Sequence, residues 1–372
     1  MNAGLRPDLQ PDLLGRVAAH GLAAVADPLD ADHPVELGAA EFDRLFAQVE
    51  RHRLLGLFAA AVTDGSIRLD PADVERVADT HEVWGAHVLR IERLLLDLDP
   101  LLRAAGIEYR LFKGAALARS VYADPAHRLY ADLDLLVPGD RFDRAVRLLG
   151  TELGGVPALP ELRPGFDREF GKDATVRVGR VEVDLHRTFV TGPIGLSVPL
   201  DDLFGDAGSV VIAGRRLPTL APIDTFLQTC LNAAVGDFPV RYGSLRDVAG
   251  LVAASDPDPA AVAEVARRWR SVAVVKRAID ETWRCLGLTP CELSCWAAEV
   301  RPGRVDRLLM RSYLTPARSY TRPAASLAVI PGFRARVRYG RALVRPQRAY
   351  LTARGWTQFG HARRAFDRLR RR

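Results

Sequence analysis

The stretch from Glu108 to Val137, EYRLFKGAALARSVYADPAHRLYADLDLLV, constrains the fold more than any other part of the chain. A β-rich run ends at Phe112 in Lys113-Gly114, and an apolar helical pattern follows from Ala115 to Tyr122. After a turn, Arg128 to Val137 reads as a second strand. Residues two apart in a strand point to one face, their Cα atoms about 7 Å apart. Asp132 and Asp134 therefore share a face, while Leu133 and Leu135 turn to the core. Further on, Ala174 to Val178, the two-residue turn Gly179-Arg180, and Val181 to Leu185 predict a hairpin. On it, Asp184 shares a face with Glu182 and His186, opposite Val183 and Leu185. If the hairpin lies beside the second strand, Asp184 joins the first two aspartates.

Helical patterns flank this core. Before it, apolar spacings predict helices from Leu9 to Ala26, Ala40 to Val62 and Ala72 to Ala105, the last bent or divided at Pro100. Within it Asp140 to Leu149 is helical and a short strand pair lies around Val210 to Leu217; after it Pro222 to Val235, Ser244 to Ala254 and Pro259 to Leu286, the last broken near Ser271, are helical. The expected division is a helical region 1–105, a β-containing core 106–216, a helical region 217–331 and a basic tail 332–372. At 372 residues the chain exceeds the usual single-domain size. No apolar run reaches the ~18 residues of a membrane span, and the N-terminus lacks a secretory apolar segment, so the expected location is cytoplasmic. Cys230, Cys285, Cys291 and Cys295 form no Cys-x-x-Cys pair and read as free thiols.

Charge is unevenly distributed. Thirteen arginines and one acid lie from Phe333 to the end, which leaves a net −6 for residues 1–332 against +6 for the whole chain. Tail aromatics interleave with these arginines, a composition suited to RNA or an anionic surface, or to a solvated end lying on the acidic body. Lysine occurs only at positions 113, 172 and 276, which sets Lys113 apart in the central stretch.

Three carboxylates in one place repel one another and raise their own pKa values. One or two Mg²⁺ ions (or Mn²⁺) between Asp132, Asp134 and Asp184 remove that penalty. Two such ions about 4 Å apart clamp the attacking and leaving oxygens of a phosphoryl displacement. The competing reading is a solvent-facing acidic strip. The Lys113-Gly114-Ala115 turn fits the first reading: backbone amides and a new helix N-terminus can approach a phosphate, with Lys113 as a point charge. Arg128 is a further candidate phosphate contact, and His186 a candidate neighbour or proton relay for the carboxylates. Arg246-Asp247 reads as a helix-surface ion pair, and Asn232 and Asp237 as structural.

Strand, Lys-Gly, helix, Arg-x3-Asp-x-Asp and the later Val-Asp-Leu-His together resemble the uncharacterised nucleotidyltransferase family of the DNA polymerase β superfamily. The resemblance is tight over about 105–137 and 180–187. It implies an α/β (α+β) fold, with a polymerase β-type core on a small mixed sheet between N- and C-terminal helical regions. It also implies transfer of a nucleoside monophosphate from an NTP, ATP foremost, to an acceptor hydroxyl on a small molecule, peptide or protein, with release of pyrophosphate. Asp132 and Asp134 would bridge two metal ions, Asp184 would bind the catalytic one and help deprotonate the acceptor, and Arg246-Asp247 would form a wall of the active-site cleft in place of a plain surface ion pair. Ala115 departs from the Gly-Ser pair of many superfamily members, which shifts phosphate binding toward backbone amides and Lys113. Transfer to RNA and a non-catalytic nucleotide-binding module are the alternative readings.

Overall fold

The computed structural model describes residues 12–358 apart from 238, 316 and 317, and of residues 318 and 319 only the backbone. Seven strands form one mixed sheet. They are β1 (Arg110–Leu111), β2 (Asp132–Leu136), β3 (Val156–Pro157), β4 (Asp173–Val178), β5 (Val181–His186), β6 (Ala207–Ile212) and β7 (Arg215–Leu220). Their order across the sheet is β3-β4-β5-β2-β1-β7-β6. The predicted hairpin is β4–β5, and β5 pairs in parallel with β2, Asp134 opposite Asp184. That parallel pairing needs a crossover, supplied by the helix Phe142–Leu153 together with β3 and β4.

One face of β2 and β5 carries Leu133, Leu135, Val183 and Leu185, all fully buried. Against them pack Ile91, Leu95, Leu98 and Leu102 of the long helix Pro71–Ala104. This apolar layer is why the aspartates, on the alternate positions, face the other way. A second core joins the N-terminal helices to the helices after residue 222, with Trp269, Phe42, Phe58 and Phe226 among its fully buried side chains. Helix Pro222–Leu231, a π-helical turn Asn232–Gly236 and helix Tyr242–Ser255 stand over the aspartate face.

Several expected boundaries are corrected. The long helix is not divided at Pro100 but continues through it to Ala104. Proline cannot donate to the carbonyl of Leu96, but Arg215 fills that place, its NH1 donating to Leu96 O at 2.5 Å. The expected helix 40–62 divides into Ala39–Arg51 and Leu55–Thr63, with Arg53 at φ 59° between them. Gly56 lets the second piece press on the turn Pro125–His127, since a Cβ there would lie 2.4 Å from Ala126 O. Strand β2 begins at Asp132 rather than at Arg128, because Asp124 caps a 3-10 turn from Pro125 to His127.

The described part of the basic tail is helical, Phe333–Val344 and Arg348–Ala353, and packs on the body. Tyr339 stacks on Phe166 with ring centroids 5.9 Å apart and meets Phe170 edge-on. Arg338 pairs with Glu169, and Gln347 N donates to Leu162 O at 2.8 Å. The six arginines from Arg363 onward lie outside the described residues.

Candidate active site

Asp132 and Asp134 on β2 and Asp184 on β5 line one polar cleft of about 220 Å³. Lys113, Gly114, Tyr130 and Lys172 line the sheet side. Gln228, Thr229, Asn232, Ser244 and Asp247 come from the helices opposite, Asp237 and Arg241 from the connection between them, and Arg53 from the break between the N-terminal helices. The π-turn Asn232–Gly236 is the kind of helical irregularity that often marks functional sites.

Asp134 is buried at the floor. Its Oδ1 accepts from Lys113 Nζ at 2.5 Å and from His186 Nε2 at 2.7 Å. Burial would push this carboxyl up, but Lys113 and His186 together hold it well below the usual range. His186 is fully buried, and burial with Lys113 nearby pushes it down to about 4, so the imidazole is neutral at pH 7. Burial also pushes Asp184 up, to about 6. Thr175 Oγ1 opposes that by donating at 2.6 Å, and the charges of Asp173, Asp134 and Asp132 reinforce it. Asp132 is raised by burial and by Asp134. Burial and mutual repulsion raise two of the three carboxyls on this face, which favours a bound positive charge.

Asp134, Asp184 and His186 bring one ligand atom each within 4.8 Å of one another, a grouping able to hold a metal ion. Two carboxylates and an imidazole are a fitting donor set for a divalent cation. Asp132 shares the cleft but lies outside this group of three.

Lys113 holds a strained backbone, φ 53° and ψ −129°, at the start of the helix Gly114–Ser120. Gly114 has a packing reason as well as the expected phosphate one. A Cβ there would lie 2.6 Å from Cβ and Cγ of Tyr130, closer than any real contact. Gly114→Ala is therefore expected to cost about 1–3 kcal/mol by overpacking and to displace Lys113. Urea unfolding checks the first effect and nucleotide affinity the second. Ala115 is buried in the apolar core and is not among the residues lining the cleft.

Arg128 borders the cleft, but its guanidinium is spoken for. Nε and NH2 donate to the two oxygens of Asp247 at 2.8 and 2.9 Å, and NH1 to Leu129 O at 2.7 Å. Asp247 is 1% exposed and also accepts from Tyr122 OH at 2.7 Å. The expected surface pair Arg246-Asp247 is thus not formed. Arg246 is buried too, its guanidinium over the Tyr122 ring.

Sequence reasoning passed over Lys172, which pairs with Asp173 at 2.7 Å on the cleft rim. Its signal was present: with only three lysines in the chain, two line this cleft. Asp237, read as structural, lines the cleft and accepts from Ser244 Oγ at 2.5 Å. Gln228 is 1% exposed, and neither polar atom of its amide has a partner among the described residues. Nothing in a single sequence distinguishes such a glutamine from a surface one.

The sheet, its acidic face and the flanking helices define a nucleotidyltransferase core of the polymerase β type. The chain belongs to the uncharacterised nucleotidyltransferase family, whose model matches residues 38–282. A comparison with curated proteins finds no match. Among solved structures the chain is similar to the antibiotic-resistance factor ANT(2'')-Ia in solution, at 16% identity over 50% of this chain and 92% of that one, TM-score 0.34. It is also similar to ANT(2'')-Ia in complex with adenylyl-2''-tobramycin, at 17% identity over 48% and 96%, TM-score 0.32. An antigenic nucleotidyltransferase-like protein from Paracoccidioides brasiliensis is 14% identical over 54% and 94%, TM-score 0.33. Among the described residues no helix is long and apolar enough to cross a membrane.

Proposed function

We propose that the cleft transfers a nucleoside monophosphate from an NTP, ATP foremost, to an acceptor hydroxyl and releases pyrophosphate. The observation that carries this reading is the parallel register that sets Asp134 beside Asp184, with Asp132 on the same face, under a polar cleft rimmed by lysine and arginine. Asp132, Asp134 and Asp184 would hold Mg²⁺ or Mn²⁺, with His186 completing or supporting the set. When bound, such ions supply charge neutralisation at the phosphates and Lewis acidity at the reacting oxygens.

The chain's own contribution is positioning and electrostatics. Lys113, the amides of Gly114 and Ala115, and Lys172 take the triphosphate, whose negative charge also draws Lys113 from Asp134. Arg128 acts from behind, holding the cleft wall through Asp247. The acceptor oxygen attacks the α-phosphorus, the bond to the pyrophosphate oxygen breaks, and the acceptor proton passes to Asp184. The unpartnered Gln228 amide gives the substrate a donor and an acceptor at the helical wall.

The test is transfer from α-labelled NTPs with Mg²⁺ across small-molecule, peptide, protein and RNA acceptors, with pyrophosphate release followed in parallel. The expected result is label transfer to one acceptor class, abolished in Asp132→Ala/Asp134→Ala. NTP binding without label transfer or pyrophosphate release across the whole panel would overturn the reading in favour of a nucleotide-binding module.

A further inference from the structure

We propose that the helix Phe333–Val344 is a contact for an anionic lipid surface. Its inner side is spent on the body, where Tyr339 packs against Phe166 and Phe170 and Ala342 is also buried. Its outer side is apolar and cationic at once. Phe333, Val337 and Val344 are 80%, 49% and 68% exposed. At 3.6 residues per turn these three lie within about 40° of one another, a single ridge along the helix. Arg334 and Arg341 flank the ridge on one side and Arg336 on the other, all exposed. The helix sequence FRARVRYGRALV contains no acid.

Single exposed apolar side chains need no explanation, but an aligned ridge between arginines does. That pattern lets apolar side chains enter the acyl boundary while guanidinium groups stay at the phosphate level. A surface for single-stranded RNA would expose aromatic rings for base stacking. Here Tyr339 faces inward and the outer ridge is two-thirds valine, which favours lipid. Helix Arg304–Leu314 repeats the motif on a smaller scale. There Val305 and Leu308 are 55% and 66% exposed, among the exposed Arg304, Arg307 and Arg311.

The experiment is co-sedimentation of the full chain, without nucleotide, with vesicles of phosphatidylcholine alone or mixed with phosphatidylglycerol. Wild type should bind the mixed vesicles, ignore the neutral ones and release with salt. Phe333→Ser/Val337→Ser/Val344→Ser leaves the charge and the buried side untouched, so it should fold normally and lose most of the binding. Arg334→Gln/Arg341→Gln should bind about thirtyfold more weakly, roughly fivefold per arginine. Undiminished binding by the triple serine variant would overturn the proposal, because charge alone would then hold the protein to the vesicle. Two other results would also overturn it. One is single-stranded RNA displacing the vesicles and binding the serine variant as tightly as wild type. The other is a concentration-dependent dimer lost on Phe333→Ser.

Discussion

Asp184→Asn is expected to lower nucleotidyl transfer by about a thousandfold, the scale of losing a principal electrostatic element of such a site. The same variant should leave the ligand-free protein at least as stable as wild type. The two effects share one cause. Burial and three neighbouring aspartates push Asp184 up to about 6 from an ordinary value near 3.8. A carboxyl raised on folding stabilises the folded state in its protonated form. That contribution is complete below pH 3.8 and is lost as pH rises through 6. At neutral pH the charged group is therefore a liability on the order of 3 kcal/mol, carried for function. Asn removes the charge and keeps the size. Thr175 Oγ1 can still donate to its amide oxygen. Urea unfolding at pH 4, 5, 6 and 7 should show wild type losing ground to the variant across that window. A variant that is less stable at pH 7, or that transfers normally, contradicts the assignment.

Asp247→Ala should produce the largest loss of stability, about 3–5 kcal/mol, because it leaves a buried guanidinium without its counter-charge. Arg128 is 6% exposed and directs two of its donors to Asp247, and Tyr122 OH spends its hydrogen bond there as well. Set against a typical total of about 5–15 kcal/mol, this is enough to threaten folding at physiological temperature. Removing both charges in Arg128→Met/Asp247→Leu should cost much less than Asp247→Ala alone, since no buried ion is then stranded. Equilibrium unfolding of the double variant and of the single variants Arg128→Met and Asp247→Leu closes the cycle. Near-additive single effects would show that the pair is not coupled. The pair joins the turn before β2 to the helix Tyr242–Ser255, across 119 residues of chain. It thereby holds the helical wall of the cleft to the sheet, which makes a structural account of Arg128 sufficient without a direct phosphate contact.

Much of the acidic face was legible beforehand. The alternation in Asp132-Leu133-Asp134-Leu135 and in Val183-Asp184-Leu185-His186 sorts side chains by face, and the glycine turn marks where strand gives way to helix. From the residues alone the opposing wall was not legible. Apolar periodicity from Pro222 to Ala254 announces packing. It does not reveal that Gln228, Asp237 and Asp247 turn into a cleft, because polar residues on a buried helix and on a wet one follow the same spacing. Lysine scarcity singled out Lys113 and could equally have singled out Lys172. The misread Arg246-Asp247 pair shows the limit of neighbour reasoning. Residues i and i+1 on a helix point about 100° apart, so the real partner of Asp247 had to come from elsewhere in the fold.

By itself, then, the sequence determined which side chains share a strand face, since a two-residue period is a local property of extended backbone. Only the tertiary structure decided that β5 lies parallel beside β2 with Asp184 level with Asp134, that His186 reaches the same carboxylate as Lys113, and that a distant helix closes the cleft. Strand register and helix docking depend on the fit of whole surfaces fifty or more residues apart, and no local pattern carries that information.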